Sequence, residues 1–383
     1  MGVTRWKEEA ALHVENVREE ARKIAVKLLE NPETAYKEEV SAKILKDFLK
    51  EKGFSIEENL SGLATAFRAS FGRSAGRRVA VVAEYDALVG IGHGCGHNLI
   101  AAGAVAAAVG VAEVLRKREL EGRIEVIGTP AEECTVSDPG KVPLLVSGIF
   151  DGLAACLMFH PWDETIAIVN DLGVIVLDLT FEGQTAHAAA DPWNGKNALD
   201  GVVGAYNLMS LLRQQMKPDG RISIMVTDGG QAVNIIPERA SARVMIRSMD
   251  MSYLEELLDR VTKCAEAAAL GTGTKLEIKT VMKVLNTRMW DHLYEIVSRN
   301  FLSYGIELRK PVQLFGSSDF GNVTHRVPAF AFGMQTHPRG TRWHSTAVRD
   351  GSVEKLALDG MILAAKVMAA SAIDILARPE VAS

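Results

Sequence analysis

Apolar residues recur at helical spacing over 4–30, where Ala11, Val14, Val17, Ala21, Ile24, Ala25 and Leu28 share one stripe. Asn31-Pro32 closes that helix, because the residue before a proline avoids the helical region. A second helix is predicted over 37–52, with Val40, Ile44, Leu45, Phe48 and Leu49 on one face and Gly53 as its stop. Continuous apolar runs then alternate with helices. Strands are predicted at 64–71, 79–84, 123–128 and 154–159, and an alanine-rich helix at 98–118. This alternation implies a mostly parallel mixed sheet flanked by helices, the α/β class.

The texture changes at about residue 172. GVIVLDLTFEG alternates with period two, as a half-exposed strand does. An irregular loop, GQTAHAAADPWNGKN, leads to an amphipathic helix at 196–216. The strands ISIMVTDG and ARVMIRSMD, a helix at 252–270 and the strand KLEIKTV follow. The order predicts a four-stranded α+β unit with two helices on one face. We place it as an inserted domain, 173–285, inside a first domain made of 1–172 and 286–383. The first domain resumes with a helix at 290–303, the strand AFAFGM and a last helix at 352–376; RPEVAS is read as a frayed end.

A length of 383 residues agrees with two domains, and 48% apolar residues suffice for large cores. The net charge of -5, with both signs dispersed, speaks against nucleic acid as a partner. The longest apolar run, 99–112, is too short to span a bilayer, so no membrane partner is expected. The first residues lack the apolar core of a signal peptide. The four cysteines, Cys95, Cys134, Cys156 and Cys264, are then expected as free thiols in the cytoplasm.

Chemistry-bearing residues sit just past the apolar runs. Cys95 and His97 follow the strand at 79–84 in a loop rich in glycine. Glu132 and Glu133 follow the strand at 123–128, His160 ends the strand at 154–159, and His344 lies beyond AFAFGM. If these strands are parallel neighbours, all these side chains meet at one sheet edge. A thiolate, imidazoles and a carboxylate suit zinc, and manganese less naturally because sulfur is soft. Of two adjacent glutamates one can bind metal while the other stays free as a general base for hydrolysis. The bland alternative is a glycine turn with incidental histidines. Cys134, Cys156 and Cys264 read as small buried hydrophobes. His13 and His292 read as surface residues, His337 as a turn residue and His325 as structural, while His93 competes with better-placed ligands.

GHGCGHNL, GTPAEE, FHP, GQTAHAAADPWNGKNAL, NIIPERA, GSSDFGNV and WHS occur in the order of the aminoacylase/carboxypeptidase family of di-metal amidohydrolases. The chain resembles that family over nearly its whole length. EYDAL with GHGCGHNL is most similar to the branch of p-aminobenzoyl-glutamate hydrolase and the β-alanyl-lysine dipeptidases. The resemblance implies a zinc-peptidase-like catalytic domain with a ferredoxin-like lid. It implies one or two divalent ions per subunit, Zn or Mn, on Cys95, His97, Glu133, His160 and His344. Glu132 matches the general base, and Asp86 the acid that orients a ligand histidine. His187 matches a lid histidine that reaches the partner's active site in dimers and steadies the oxyanion. Asn234 and Arg247 match lid residues that hold the substrate's carbonyl or carboxylate. The helix after Lys196 matches the one that pairs lids, so a homodimer or higher homo-oligomer is expected.

Three positions depart from the family pattern: Val89 stands where a proline is usual, Asn98 where many relatives have aspartate although the named branch also shows asparagine, and Ser318 where many relatives have glutamate. They bear on substrate choice. The expected activity is metal-dependent hydrolysis of a small N-acyl or N-aroyl amino acid or a dipeptide. Two alternatives remain at this point: hydrolytic deamination of an aromatic amine on the same scaffold, and an inactive binding partner.

Overall fold

The computed structural model describes residues 2–377 apart from 74, 119, 135 and 311–315. RPEVAS lies outside the described residues. Strands in chain order are β1 (Ser55–Glu58), β2 (Phe67–Gly72), β3 (Arg78–Glu84), β4 (Arg123–Thr129), β5 (Ala155–Trp162) and β6 (Ile166–Ile168). They continue with β7 (Gly173–Glu182), β8 (Arg221–Asp228), β9 (Arg239–Ser248), β10 (Lys275–Val284) and β11 (Ala329–Gln335).

One sheet runs in the order β1-β2-β4-β3-β5-β11-β6. Its four central strands, β4, β3, β5 and β11, are parallel, and the flanking β1, β2 and β6 pair antiparallel. Both faces are covered, as a parallel sheet requires. On one face the helices His97–Lys117, Lys355–Ala377, Gly2–Asn16 and Arg18–Glu30 bury the larger core around Val79, Val81, Leu157, Phe159 and Phe332. On the other, Lys141–Val146 and Phe320–Arg326 cover Val82, Ile127, Cys156 and Met158. The helix His97–Lys117 lies close against β5: a Cβ on Gly103 would meet the Phe159 ring at 2.4 Å.

The second sheet, β10-β7-β9-β8, is wholly antiparallel. Period two divides β7 between its faces. Ile175, Leu177, Leu179 and Phe181 pack beneath the helices Ala198–Leu212 and Met251–Thr272. Val174 and Val176 point the other way, with Met282 and Val284 of β10. That second face looks toward the first sheet and roofs a cavity described below.

Several boundaries differ from the sequence reading. The helix expected over 4–30 is two helices, Gly2–Asn16 and Arg18–Glu30, broken at Val17, whose φ/ψ of -99/11 is not helical. The last helix starts at Lys355, after a separate short helix, Thr346–Gly351. The strand expected from residue 64 begins at Phe67, and β1 and β6 were not anticipated. β5 runs on to Trp162, so His160 stands within the strand rather than at its end. The apolar run at 99–112 belongs to a 21-residue helix long enough to cross a membrane, as is Lys355–Ala377. Both are packed inside the core.

Candidate metal centre

Parallel strands end side by side, so the segments after β3, β4 and β5 share one edge of the sheet. This is where an α/β sheet exposes its chemistry. Past β3, Tyr85 is fully buried and its hydroxyl donates to the Thr65 carbonyl at 2.6 Å, which anchors the turn. The loop then closes through the paired Leu88 and Gly92. Gly96 has φ +81, and a Cβ there would lie 2.9 Å from Pro161. Only glycine allows that approach in that conformation. It brings Cys95 Sγ to 3.5 Å from His160 Nε2. His97 opens the long helix that follows.

Past β4, Ala131 adopts φ 59 although it carries a Cβ. Its N–H donates to Glu38 Oε1 at 3.0 Å, and this bond holds the strained turn. Glu132 and Glu133 leave the turn toward the same space. His344, also at positive φ (56), is held by its N–H on the Gly94 carbonyl at 3.1 Å.

Asp86 ties two of these groups together. Its Oδ1 lies 2.9 Å from His97 Nδ1, and its Oδ2 accepts the Glu133 N–H at 2.9 Å. The His97 ring therefore turns Nε2 toward Glu132 Oε2 at 3.8 Å, and that buried Nε2 has no hydrogen-bond partner. His160 Nδ1 lies 2.7 Å from its neighbour's carbonyl, Pro161 O, which leaves Nε2 as the free lone pair. His344 Nε2 lies 3.3 Å from Glu133 Oε1. The donor atoms of Cys95, His97 and His160 lie within 4.8 Å of one another, as do those of Cys95, Glu133 and His344 and those of His97, Glu132 and Glu133. All five residues expected as ligands, with Glu132, are thus neighbours.

The electrostatics fit a cation at this point. Burial, with Glu84, Glu133 and Asp319 close by, pushes the Glu132 carboxyl well above the usual range. Burial also pushes the Cys95 thiol up, with Glu133 adding to it. Burial lowers His160, keeping it a neutral imidazole. Burial works against a charge on His97, but Asp86 and Cys95 outweigh it and raise its pKa. Burial likewise opposes ionisation of Glu133, and the His344 hydrogen bond outweighs it. A divalent ion would satisfy the unpartnered His97 nitrogen and the thiolate and carboxylates together.

A further acidic group, Glu84, Glu132 and Asp319, lies beside the first three. The ammonium of Lys141 already fills it. Lys141 is fully buried, pairs with Glu84 Oε1 at 2.6 Å and with Asp319, and donates its backbone N–H to Asp319 Oδ2 at 2.9 Å. Burial opposes its charge, but Asp319 and Glu84 hold its pKa above that of a free lysine. The sequence reading missed Lys141 and Glu84, because a lysine after Pro-Gly carries no local mark of burial.

A cavity of about 490 Å³ opens over the centre. Cys95, Glu132, Glu133, His160 and His344 form its floor. Trp162 and Trp343, whose ring centroids are 4.5 Å apart, stand beside His160 and His344. Val174, Met245, Arg247, Met282 and Val284 form the roof. Arg247 is half-buried with its Nε unpartnered, and burial lowers its pKa.

His187 and Asn234 are elsewhere. They are adjacent on exposed loops of the smaller unit, linked by the His187–Ile235 bridge and the Ala188 N–H on the Asn234 carbonyl at 3.0 Å. His187 Nδ1 accepts the N–H groups of Ala189 and Ala190, at 3.2 and 3.1 Å, so Nε2 faces outward. Neither residue lines this chain's cavity.

The remaining candidates have structural surroundings. His337 is buried, not a simple turn residue, with Nε2 3.0 Å from the Val348 carbonyl. His325 Nε2 lies 2.9 Å from Asn286 Oδ1. His93 is buried and its ring nitrogens lack partners. Asn98 faces away from the centre and donates to the Ala25 carbonyl at 3.1 Å and to Ser352 at 3.2 Å. An aspartate could not donate those bonds. Ser318 Oγ accepts the Phe320 N–H at 3.2 Å in the cavity wall.

Residues 172–272 match the family model described as a peptidase dimerisation domain. The human Xaa-Arg dipeptidase is 33% identical over 378 residues, covering 91% of this chain and 84% of that protein. One of the p-aminobenzoyl-glutamate hydrolase polypeptides of Escherichia coli (strain K12) is 27% identical, over 94% of this chain and 90% of the other. Among solved structures, a dinuclear metal-binding peptidase of the M20 family from Bacillus subtilis superimposes with a TM-score of 0.69. It is 20% identical, over 95% of this chain and 99% of that one. A putative aminohydrolase from methicillin-resistant Staphylococcus aureus gives 0.79 at 16% identity, over 97% and 100%. At these identities the two structures speak for the fold alone. The sequence relatives carry the assignment: this chain belongs to the M20 family and is a metal-dependent amidohydrolase.

Proposed function

We propose that Cys95, His97, Glu133, His160 and His344 hold one or two divalent ions, zinc or manganese, and that Glu132 is the general base. The observation that carries this reading is that those five residues fall into overlapping groups of three whose donor atoms lie within 4.8 Å of one another, from buried Cys95 and His97 out to exposed His344, with Glu132 in one of the groups. When bound, the metal supplies Lewis acidity and lowers the pKa of the attacking water. Glu132 takes the proton of that water and returns it to the leaving nitrogen. Asp86 holds the His97 tautomer and the Glu133 backbone in register.

The substrate is a small N-acyl or N-aroyl amino acid or a dipeptide. The names of the relatives support this, and so does Arg247, a guanidinium without a partner at its Nε in the cavity roof. A guanidinium fork matches a free carboxylate. The same group argues for amide hydrolysis over deamination of an aromatic amine. We divide the chain into a catalytic domain, 1–172 with 286–383, and a lid, 173–285. The lid helix Ala198–Leu212 joins two copies, placing His187 and Asn234 in the partner's cavity, where His187 steadies the oxyanion. Exposed Val203, Tyr206 and Leu211 on that helix support this pairing. With four free thiols, the reducing cytoplasm is its setting.

The test pairs two variants. Glu132→Gln should keep its metal, measured by plasma mass spectrometry, and lose about 10²–10⁴-fold in kcat. Mixing it with His187→Ala should restore part of the activity, because one site in the mixed dimer then has an intact Glu132 and an intact partner His187. Near-normal kcat in Glu132→Gln removes the base. Absence of complementation in a verified mixed dimer removes the shared site.

A further inference from the structure

Four carboxylates line the cavity: Glu132, Glu133, Asp171 and Asp319. Glu132 and Glu133 belong to the centre, and Asp319 is held by Lys141. Asp171 remains. It is 7% exposed and sits on the connection into β7. Its Oδ2 accepts the Thr287 hydroxyl at 3.0 Å, and among the described residues no lysine, arginine or histidine pairs with it. A buried carboxylate without a cation is costly unless something compensates it. Burial raises its pKa to about 6, against the Thr287 bond. The apolar Ile166, Ile168, Met282 and Val284 line the same cavity. The Ser317 hydroxyl, buried and unpartnered, lines the same cavity. Asp171 is thus the uncommitted negative charge in a pocket that also holds Arg247, whose Nε has no partner.

We propose that Asp171 receives a cationic group of the substrate, so that the enzyme selects amides or dipeptides bearing an ammonium or guanidinium over neutral ones. This rests on the amidohydrolase reading of the cavity and on Arg247 taking the substrate carboxylate. The cation has two possible sources with the same chemistry: a basic side chain on the amino acid, or the free amino group of a dipeptide. Asp171 also clasps the two connections between the sheets through Thr287, and a purely mechanical role predicts a different outcome.

The experiment uses the metal-loaded enzyme and four probes: acetyl-lysine, acetyl-norleucine, glycyl-lysine and glycyl-norleucine. The readout is the ratio of kcat/KM for each cationic probe to that for acetyl-norleucine. Asp171→Asn keeps an acceptor for Thr287 and removes the charge. It should lower that ratio about 10- to 100-fold, the worth of one charged hydrogen bond. Collapse for acetyl-lysine assigns the side chain; collapse for glycyl-norleucine assigns the amino group. Thr287→Val removes the clasp, keeps the charge and should keep the ratio. Equal losses on all four probes, or no change in the ratio, overturn the proposal. If the wild type cleaves none of them, the amidohydrolase reading of these substrates fails. Calorimetric binding then decides Asp171 separately: acetyl-lysine binding no tighter than acetyl-norleucine, or equally tight to Asp171→Asn, overturns the proposal.

Discussion

Replacing Lys141 by methionine tests the electrostatic ground under the metal centre. Lys141, Glu84 and Asp319 are all at most 1% exposed, so water cannot screen what is removed. The substitution keeps an unbranched apolar stem, so little cavity is created. What remains is three carboxylates, Glu84, Glu132 and Asp319, with oxygens within 4.8 Å of one another and no lysine ammonium among them. Removing one partner of a buried pair costs about 3–5 kcal/mol. Here two acids lose the same partner, so the upper end of that range is expected in the metal-free protein. The backbone N–H of residue 141 still reaches Asp319 and should hold the local chain path. Urea denaturation of chelated protein at pH 7.5, followed by tryptophan fluorescence, measures the loss. Adding Asp319→Asn to Lys141→Met removes one orphaned charge and should recover part of it. The acids of the single variant would have folded pKa values above their unfolded ones. Their contribution is then present at low pH and lost as pH rises, so the deficit should be larger at pH 8 than at pH 5. A single variant within about 1 kcal/mol of wild type, or a deficit independent of pH, refutes a compensating role for the ammonium.

The sequence made the parallel strands legible because β3 and β5 are built on continuous apolar runs, β4 is interrupted only by Glu125, and each carries its site residues past or near the same end. Cys95, His97, Glu132, Glu133, His160 and His344 could be gathered from that placement alone. The roles of Asp86 and Arg247 came from resemblance, since nothing local distinguishes a buried aspartate that orients a ring from a solvated one. β1 and β6 were not legible: four and three residues, SIEE and IAI, show too little periodicity, and their pairing partners are distant in sequence. Lys141 was hidden for a related reason. A lysine is almost never fully buried unless paired, and its partners come from residues 84 and 319. The turn at Ala131 was equally invisible, because an alanine at positive φ is imposed by Glu38, 93 residues earlier.

Two further outcomes follow from the same geometry. Asp86→Ala frees His97 Nδ1 and the Glu133 N–H together, so metal affinity measured by competition with a chelator should weaken about 10- to 100-fold; unchanged affinity would remove Asp86 from its orienting role. Glu38 is buried beneath the Ala131 turn, and burial raises its carboxyl to about 7 despite bonds from Tyr36, Ala131 and Thr65. Its folded pKa lies above the unfolded value, so its contribution to stability is full below about pH 4.5 and lost as pH rises through about 7. Glu38→Gln preserves the acceptor for Tyr36 and Ala131, while the Thr65 hydroxyl can reverse and accept from the new amide. The variant should therefore flatten the pH dependence of the urea midpoint between pH 4.5 and 7 in metal-free protein. A variant whose midpoint still falls over that window as steeply as wild type would show that Glu38 is not the group taking up the proton.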